Sequence, residues 1–310
     1  MPDQGRRPVG SVIVPAHNEA ASVERCLAAL FDDPCSLRLD VIVACNGCTD
    51  GTADLVRALP YPLRVLELPQ ASKAAALRAA DLVARAHPRL YLDADVALHA
   101  AAAVEVLERL SAPGALAARP DVVYDTSGAC YAVRSYYRAR TRTRELMGSL
   151  WGAGVYGLSE LGRLRFGPFP DVIADDLFVD GLFADDEREI VLCRPVVVRT
   201  PRTTRGLLAV LRRSYRGQSE AVGHGPIPPG RSWGTLRGVV RAGLSSPRAA
   251  HDAVVLLCLV LVARAQASSS AGKGWERDES SRIACVSSTA TETPQAANTP
   301  PSKRPPGNRS

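Results

Sequence analysis

Aromatic residues are scarce in this sequence: Phe, Trp and Tyr make up 5% of 310 residues, and there are only 2 methionines. So thin a supply argues against a platform that stacks exposed bases. Zinc-finger spacing, an RNP-like aromatic motif and a helix-turn-helix pattern are also missing, so nucleic acid is not an expected partner. Long apolar runs are lacking too. The strongest, Ala253 to Ala263 (AVVLLCLVLVA), falls well short of the roughly 20 residues a spanning helix needs. It reads as a buried or membrane-surface helix. The first apolar run, Val9 to Val14, is too short for a secretory signal core and reads as a strand. The 8 cysteines are scattered. Cys45 and Cys48 form a C-x-x-C, but no second pair stands at zinc-ribbon spacing, and Asn46-Gly47 between them marks a loop. Neither a metal nor a redox site is expected there, and a reducing cytoplasm is the simplest compartment. There is no internal repeat.

What the chain does contain is 46% hydrophobic and 23% charged residues, enough to bury a core as one large or two small domains. Its net charge of +6, mostly from arginine, favours anionic partners such as phosphates or acidic lipid headgroups. The first hundred residues alternate as a parallel sheet requires. Ser11–Val14, Val41–Ala44, Leu63–Leu68 and Leu90–Leu92 read as strands. Between them lie helices from about Glu19 (with Val23, Leu27 and Leu30 on one face), across Leu55–Leu59, and from a Ser72 cap to about Ala86. A further helix is expected over Ala100 to Leu110. Successive units turning at one sheet edge predict a doubly wound, mostly parallel α/β fold.

At that edge the strand Leu90–Leu92 runs into Asp93-Ala94-Asp95. In an extended segment, residues two apart project to one side, so both carboxylates can face a point beyond the strand. Two hard oxygen donors there suit Mg²⁺ or Mn²⁺ holding a diphosphate; a solvated turn closing the strand is the plainer reading.

The second half is less regular. Val122 to Tyr131 reads as an antiparallel edge strand, Tyr136 to Met147 as an arginine-rich helix, and Trp151 to Gly157 as a glycine-spaced loop. Asp175-Asp176 leads into a short helix, and Val191 to Val198 is a strand. The expected organisation is a flexible start (1–8), a nucleotide-binding half (9–110), an acceptor half (111–220), a helical extension that could touch a membrane (221–265) and a disordered tail (266–310).

Four stations in order, Val14-Pro15-Ala16-His17-Asn18-Glu19, Asn46-Gly47-Cys48-Thr49-Asp50-Gly51-Thr52, Asp93-Ala94-Asp95 and Ala174-Asp175-Asp176-Leu177, give residues 10 to 220 a resemblance to the family 2 glycosyltransferases of the GT-A type. The resemblance implies transfer of a sugar, with inversion, from a nucleotide-diphosphate donor to an acceptor glycan, lipid or small metabolite. Pro15, His17 and Glu19 then belong to the first nucleotide loop, with Glu19 toward base or ribose; an acid complementing a helix dipole is the alternative for Glu19. Asn46 and Asp50 fall in the second loop, where the family often has two acids in place of Cys45-Asn46; Asp50 could equally cap a helix. Lys73 stands where the family has a basic residue near the phosphates, and the family's Asn beside it is here Arg78. Asp93 would contact ribose or metal, and Asp95 the metal. Asp176 is the expected base, with Asp175 in reserve. The family's Q-x-x-R-W motif is absent. Arg202 and Arg205, in an acid-free stretch from Arg199 to Arg216, are its loose substitutes as phosphate contacts, and that stretch is equally a candidate for an anionic membrane surface. Trp151 and the neighbouring glycines could line the acceptor cleft. A sugar-nucleotide nucleotidyltransferase would open on a Gly-rich loop, which Pro15 to Glu19 replaces. A non-catalytic scaffold of the same fold is the remaining alternative.

Overall fold

The computed structural model describes residues 7–172, 174–222 and 231–269. The expectations for residues 1–6, for 223–230 and for the tail from 270 onward lie outside the described residues. Seven strands form one sheet: β1 (Gly10–Ala16), β2 (Leu39–Asn46), β3 (Leu63–Leu68), β4 (Arg89–Leu92), β5 (Ala117–Asp125), β6 (Val155–Leu158) and β7 (Arg188–Arg199). Their order is β3-β2-β1-β4-β6-β5-β7, and every pairing is parallel except those of β6, which runs against both β4 and β5. The helices in chain order are α1 (Val23–Leu30), α2 (Thr52–Ala58), α3 (Lys73–Val83), α4 (Ala100–Ser111), α5 (Tyr131–Arg142), α6 (Arg144–Met147), α7 (Glu160–Arg163), α8 (Asp175–Gly181), α9 (Thr204–Val222), α10 (Arg231–Gly243) and α11 (Pro247–Ser269).

The strand period of two sorts the core onto two faces. Val12, Val14, Val41, Val43, Leu90 and Leu92 pack with α1, α2 and α4 on one side. Ile13, Ile42, Ala44 and Tyr91 pack with Ala76, Leu77 and Ala80 of α3 and with Phe178 and Val179 of α8 on the other. Both faces being covered is why these strands read as continuous apolar runs. A third cluster joins α5 to α9, α10 and α11, so the C-terminal helices pack with α5 as one bundle.

The differences from expectation lie mostly beyond residue 111. The strand expected at Val122 to Tyr131 is β5, which starts at Ala117 and lies inside the sheet; β7 forms the edge. It stops at Asp125 because the Asp125 carboxylate accepts Ser127 N–H (2.9 Å) and Gly128 takes φ +71°, and Tyr131 then opens α5. The expected arginine-rich helix starts five residues early and breaks at Thr143 into α5 and α6. α11 outruns the apolar run at both ends and remains helical to Ser269, where the tail was expected to have begun. Its stretch Pro247–Ala267 is thus long and apolar enough, by length and composition alone, to cross a membrane.

What fixes α11 is a buried acid. Asp252 is fully buried and accepts hydrogen bonds from Ser135 Oγ (2.8 Å), Arg138 Nε (2.9 Å) and Arg142 Nη1 (2.8 Å), all on α5. Arg138, with Ser135 and Arg142, outweighs burial and holds its carboxyl well below the usual range. Asp252→Ala, which leaves these donors facing an apolar seam, should lower the unfolding free energy by about 2–4 kcal/mol in urea titrations near neutral pH. A depressed folded-state pKa stabilises above the ordinary carboxylate range and ceases to do so as pH falls. The gap between wild type and variant should therefore shrink below about pH 4.

Candidate active site

A pocket opens at the carboxyl edge of the sheet between β1 and β4, where the chain leaves β1 toward β2 on one side and leaves β4 toward β5 on the other. Open α/β sheets bind ligands at such a point. Pro15 at the end of β1, Lys73, Tyr91, Asp93, Gly154, Tyr156, Asp175 and Asp176 line it.

Lys73 is the first residue of α3, and the Ser72 hydroxyl caps that helix by accepting Ala75 N–H at 3.2 Å, as the sequence predicts. A lysine at a helix N-terminus opposes the helix dipole and needs anions nearby. It has two: its ammonium lies 2.7 Å from Asp93 Oδ1 and 2.7 Å from Asp175 Oδ1. Burial works against its charge, but Asp175 and Asp93 outweigh burial and raise its pKa. Asp175 is buried, and its other oxygen accepts the Tyr156 hydroxyl at 2.8 Å. Asp176, half-buried beside it in the first turn of α8, accepts Gly152 N–H at 3.0 Å and Leu177 N–H at 2.8 Å. Burial first, and the Asp175 charge second, lift the Asp176 carboxyl to about 6.

The paired carboxylates after β4 are not arranged as an extended segment would place them. The strand ends at Leu92, and Asp93 O accepts Val96 N–H (3.1 Å) in a tight turn, so the alternation of a strand no longer holds. Asp93 faces the pocket while Asp95 is exposed on its rim, its carbonyl accepting a long (3.4 Å) hydrogen bond from Arg25. Burial raises the Asp93 carboxyl against the pull of Lys73, and the charges of Asp95 and Asp175 add to the rise. Asp93 N–H donates to Gly154 O at 2.8 Å. Gly154 has φ +68°, and a Cβ there would stand 2.5 Å from Val96 Cγ2, so glycine is required for this close approach.

The nucleotide-loop residues are placed beside the pocket, and their side chains serve the loops themselves. His17 Nδ1 donates to Asn46 O (2.6 Å), and Asn46 Nδ2 donates to Ala16 O (2.9 Å), tying the ends of β1 and β2 together. Glu19 is buried and accepts the Ser22 hydroxyl at 2.6 Å, ahead of α1, whose first-turn acid is Glu24. Asp50, one residue before the Gly51 N-cap of α2, accepts Ala20 N–H (3.1 Å), Thr52 N–H (3.1 Å) and the Thr52 hydroxyl and so staples the two loops. Partial burial opposes its ionisation, yet these bonds hold its carboxyl below the usual range. Arg78 donates to Phe169 O (2.7 Å) and Asp171 (2.9 Å), fastening α3 to the segment before α8.

Arg202 and Arg205, expected as phosphate contacts, are exposed at the start of α9 and line none of the pocket. They follow β7, which β6 and β5 separate from β4. Trp151 does not line the pocket either; it stacks on the Arg140 guanidinium, 4.1 Å from its ring centre. Gly152 and Gly154, expected at the acceptor cleft, instead hold Asp176 and Asp93 through their backbones. The pocket residue that sequence reasoning left without a role is Tyr156 of β6, and a tyrosine just after two spaced glycines is the only signal it gives.

Residues 11–157 match the sequence model described as glycosyl transferase family 2. The chain carries a family 2 glycosyltransferase domain. Among solved structures, the mannosyltransferase PcManGT from Pyrobaculum calidifontis, in complex with GDP-Man and Mn²⁺, is 24% identical; the match covers 87% of this chain and 81% of that one, with a TM-score of 0.57. Glucosyl-3-phosphoglycerate synthase from Mycobacterium tuberculosis, in complex with phosphoglyceric acid, is 20% identical over 71% of this chain and 81% of that one, with a TM-score of 0.50. At these identities the likeness is one of fold, the GT-A glycosyltransferase fold. No curated protein matches the chain.

Replacing Lys73 with Met would leave Asp93, Asp175 and Asp176 repelling one another without a cation. Repulsion grows as the carboxylates ionise, so the variant should lose stability relative to wild type as pH rises from 4 to 8. The expected difference is about 2 kcal/mol at pH 8 and less at pH 4, read from thermal or urea unfolding at both values.

Proposed function

We propose that this family 2 glycosyltransferase moves a sugar from a nucleotide-diphosphate donor to an acceptor hydroxyl with inversion at the anomeric carbon. The observation that carries this reading is the convergence of Lys73, Asp93, Asp175 and Asp176 in one pocket at the carboxyl edge of the sheet. Such a reaction needs positive charge for a departing diphosphate and a carboxylate for the acceptor proton.

A divalent ion fits the donor set. Asp93 and Asp95 offer only carboxylate oxygens, the ligands that Mg²⁺ and Mn²⁺ prefer. Among the described residues no group of three or more His, Cys, Asp or Glu forms a cage. One or two carboxylates completed by substrate phosphates are what a Mg²⁺-type ion uses. Asp95 with Asp93 would hold it, and it would supply charge neutralisation at the diphosphate. Lys73 is the protein cation that the pocket offers to the same phosphates.

Asp176 takes the proton from the acceptor hydroxyl as that oxygen bonds to the anomeric carbon and the bond to the diphosphate oxygen breaks. Gly152 N–H and Leu177 N–H orient its carboxylate. Asp175 is engaged on both oxygens by Lys73 and Tyr156 and acts as a positioning residue. The free thiols among the described residues suit a reducing, cytoplasmic setting.

The test is a panel of nucleotide sugars assayed for transfer and donor hydrolysis with Mn²⁺, with Mg²⁺ and with chelator. Asp95→Ala should weaken metal-dependent donor binding at least about tenfold by calorimetry. Donor affinity equal to wild type, with and without chelator, would sink the metal assignment; silence across the whole panel would favour the scaffold reading. Asp176→Asn should retain donor binding and lower kcat by roughly a hundredfold to ten-thousandfold. Because the base must be ionised, wild-type kcat/KM should fall as pH drops below about 6, and Asp176→Asn should abolish that limb.

A further inference from the structure

The C-terminal helical hairpin exposes apolar side chains that nothing in the pocket uses. On α10 and the turn that ends it, Leu236, Val240 and Leu244 recur every four residues and stand open to solvent, Leu244 at 82%. On α11, Val254, Leu261 and Val262 are exposed, Leu261 at 64%. Beside Val254, a turn back along α11, His251 meets the exposed ring of Tyr131 edge-on, with ring centres 5.7 Å apart, so the open face continues onto α5. A soluble surface rarely leaves so many large apolar groups open on adjoining helices.

Charge selects the partner. Residues 231–269 contain five arginines and one acid, and that acid is the fully buried Asp252. Arg237 and Arg241 alternate with the apolar residues on the exposed side of α10, and Arg248 opens the exposed side of α11. Glu145 of α6 lies against Gly238, on the buried side of α10. A second copy docked symmetrically would set these arginine rows close to one another without a counter-charge. An anionic bilayer instead accepts apolar side chains below its headgroups and arginines among them.

We infer that the exposed face of α10 and α11, led by Leu236, Val240 and Leu244 and rimmed by Arg237, Arg241 and Arg248, docks the protein on an anionic membrane surface. The docking is in-plane. α11 is long enough to cross, but crossing would carry Asp252 with its partners Arg138 and Arg142 into hydrocarbon, or strip the acid of them. Lying in the interface keeps the network against α5 intact and buries only the open stripe. Tyr131 suits the headgroup level, where amphipathic rings collect.

The experiment is co-sedimentation of the full chain with vesicles of phosphatidylcholine alone and of phosphatidylcholine with phosphatidylglycerol. Binding is expected to the anionic vesicles at low salt, and to weaken as salt is raised. Each of Arg237→Gln and Arg241→Gln should weaken it about fivefold. The triple variant Leu236→Ser/Val240→Ser/Leu244→Ser should weaken it about tenfold or more, with an unchanged circular dichroism spectrum. No binding to anionic vesicles at low salt, or equal binding by the triple variant, would overturn the assignment. So would a dimer, seen by light scattering, that the triple variant turns into a monomer. Donor hydrolysis in vesicle-free solution should be the same in wild type and triple variant, so a failed pocket and a failed docking face give different results.

Discussion

One ammonium group ties the two halves of this molecule together. Lys73 belongs to the doubly wound half, Asp175 to the segment that returns after β6, and Asp93 to the turn that ends β4; Nζ lies 2.7 Å from each carboxylate. Without a cation at that point, two adjacent carboxylates at the start of α8 and one from β4 would face each other in a partly buried space. Their mutual repulsion would work against the docking of α8 onto the sheet, where Phe178 and Val179 complete the second core. The site therefore follows from a balance of charge: anions needed for chemistry are held close by a cation that a phosphate could later share.

The reversed strand is what makes that meeting possible. β6 is only four residues long, yet it lies between β4 and β5 and runs against both. Running backward, it begins at the functional edge, where the backbone just before it offers Gly152 N–H to Asp176 and Gly154 O to Asp93. Two residues into the strand, Tyr156 reaches Asp175 on one face and stacks on Tyr91 of β4, with ring centres 5.1 Å apart. A parallel strand in that place would have begun at the opposite edge. The buried Arg119 of β5 anchors the approach to this segment by donating to Ser149 O at 2.7 Å, and Asp180 of α8 accepts Leu150 N–H at 2.7 Å. Burial lowers the Arg119 pKa to about 10, and the carbonyls of Ser149, Pro120 and Met147 accept hydrogen bonds from its guanidinium.

These facts explain which parts could be read from the amino-acid order. β1 and β2 are β-branched runs, β3 and β4 are leucine-bearing ones, and the helices between them carry apolar stripes and a serine cap, so local preference and tertiary packing agree. Leu63–Leu68 falls where the pattern places it. β6 could not be read so, because Val-Tyr-Gly-Leu behind two glycines looks like loop and becomes strand only by pairing with two neighbours. The Asp93–Asp95 turn misleads for a related reason. Residues two apart share a side only while the strand lasts, and here it ends at Leu92. Arg202 and Arg205 attract notice as charge in sequence, whereas distance across a sheet is set by strand order, which composition does not encode. The polar residues of the loops after β1 and β2 are a subtler case: they stand at the expected sheet edge, but Asn46, Asp50 and Glu19 satisfy backbone and hydroxyl groups of those loops.

In the reaction proposed above, hydrogen-bond type is the reason for assigning Asp176 and not its neighbour to the substrate hydroxyl. Asp175 holds a lysine on one oxygen and a buried tyrosine hydroxyl on the other, and moving it would strand both partners below the pocket floor. A carboxylate so engaged has neither a convenient lone pair nor freedom to turn. Asp176 accepts two backbone N–H groups, which cannot follow a proton and so fix its orientation without competing as acids. Partial burial and the Asp175 charge raise its carboxyl to about 6, which makes it a stronger base than an ordinary aspartate while leaving it mostly ionised at neutral pH. On that proposal two adjacent carboxylates divide the work because one is fully occupied by the scaffold and the other is only aimed by it.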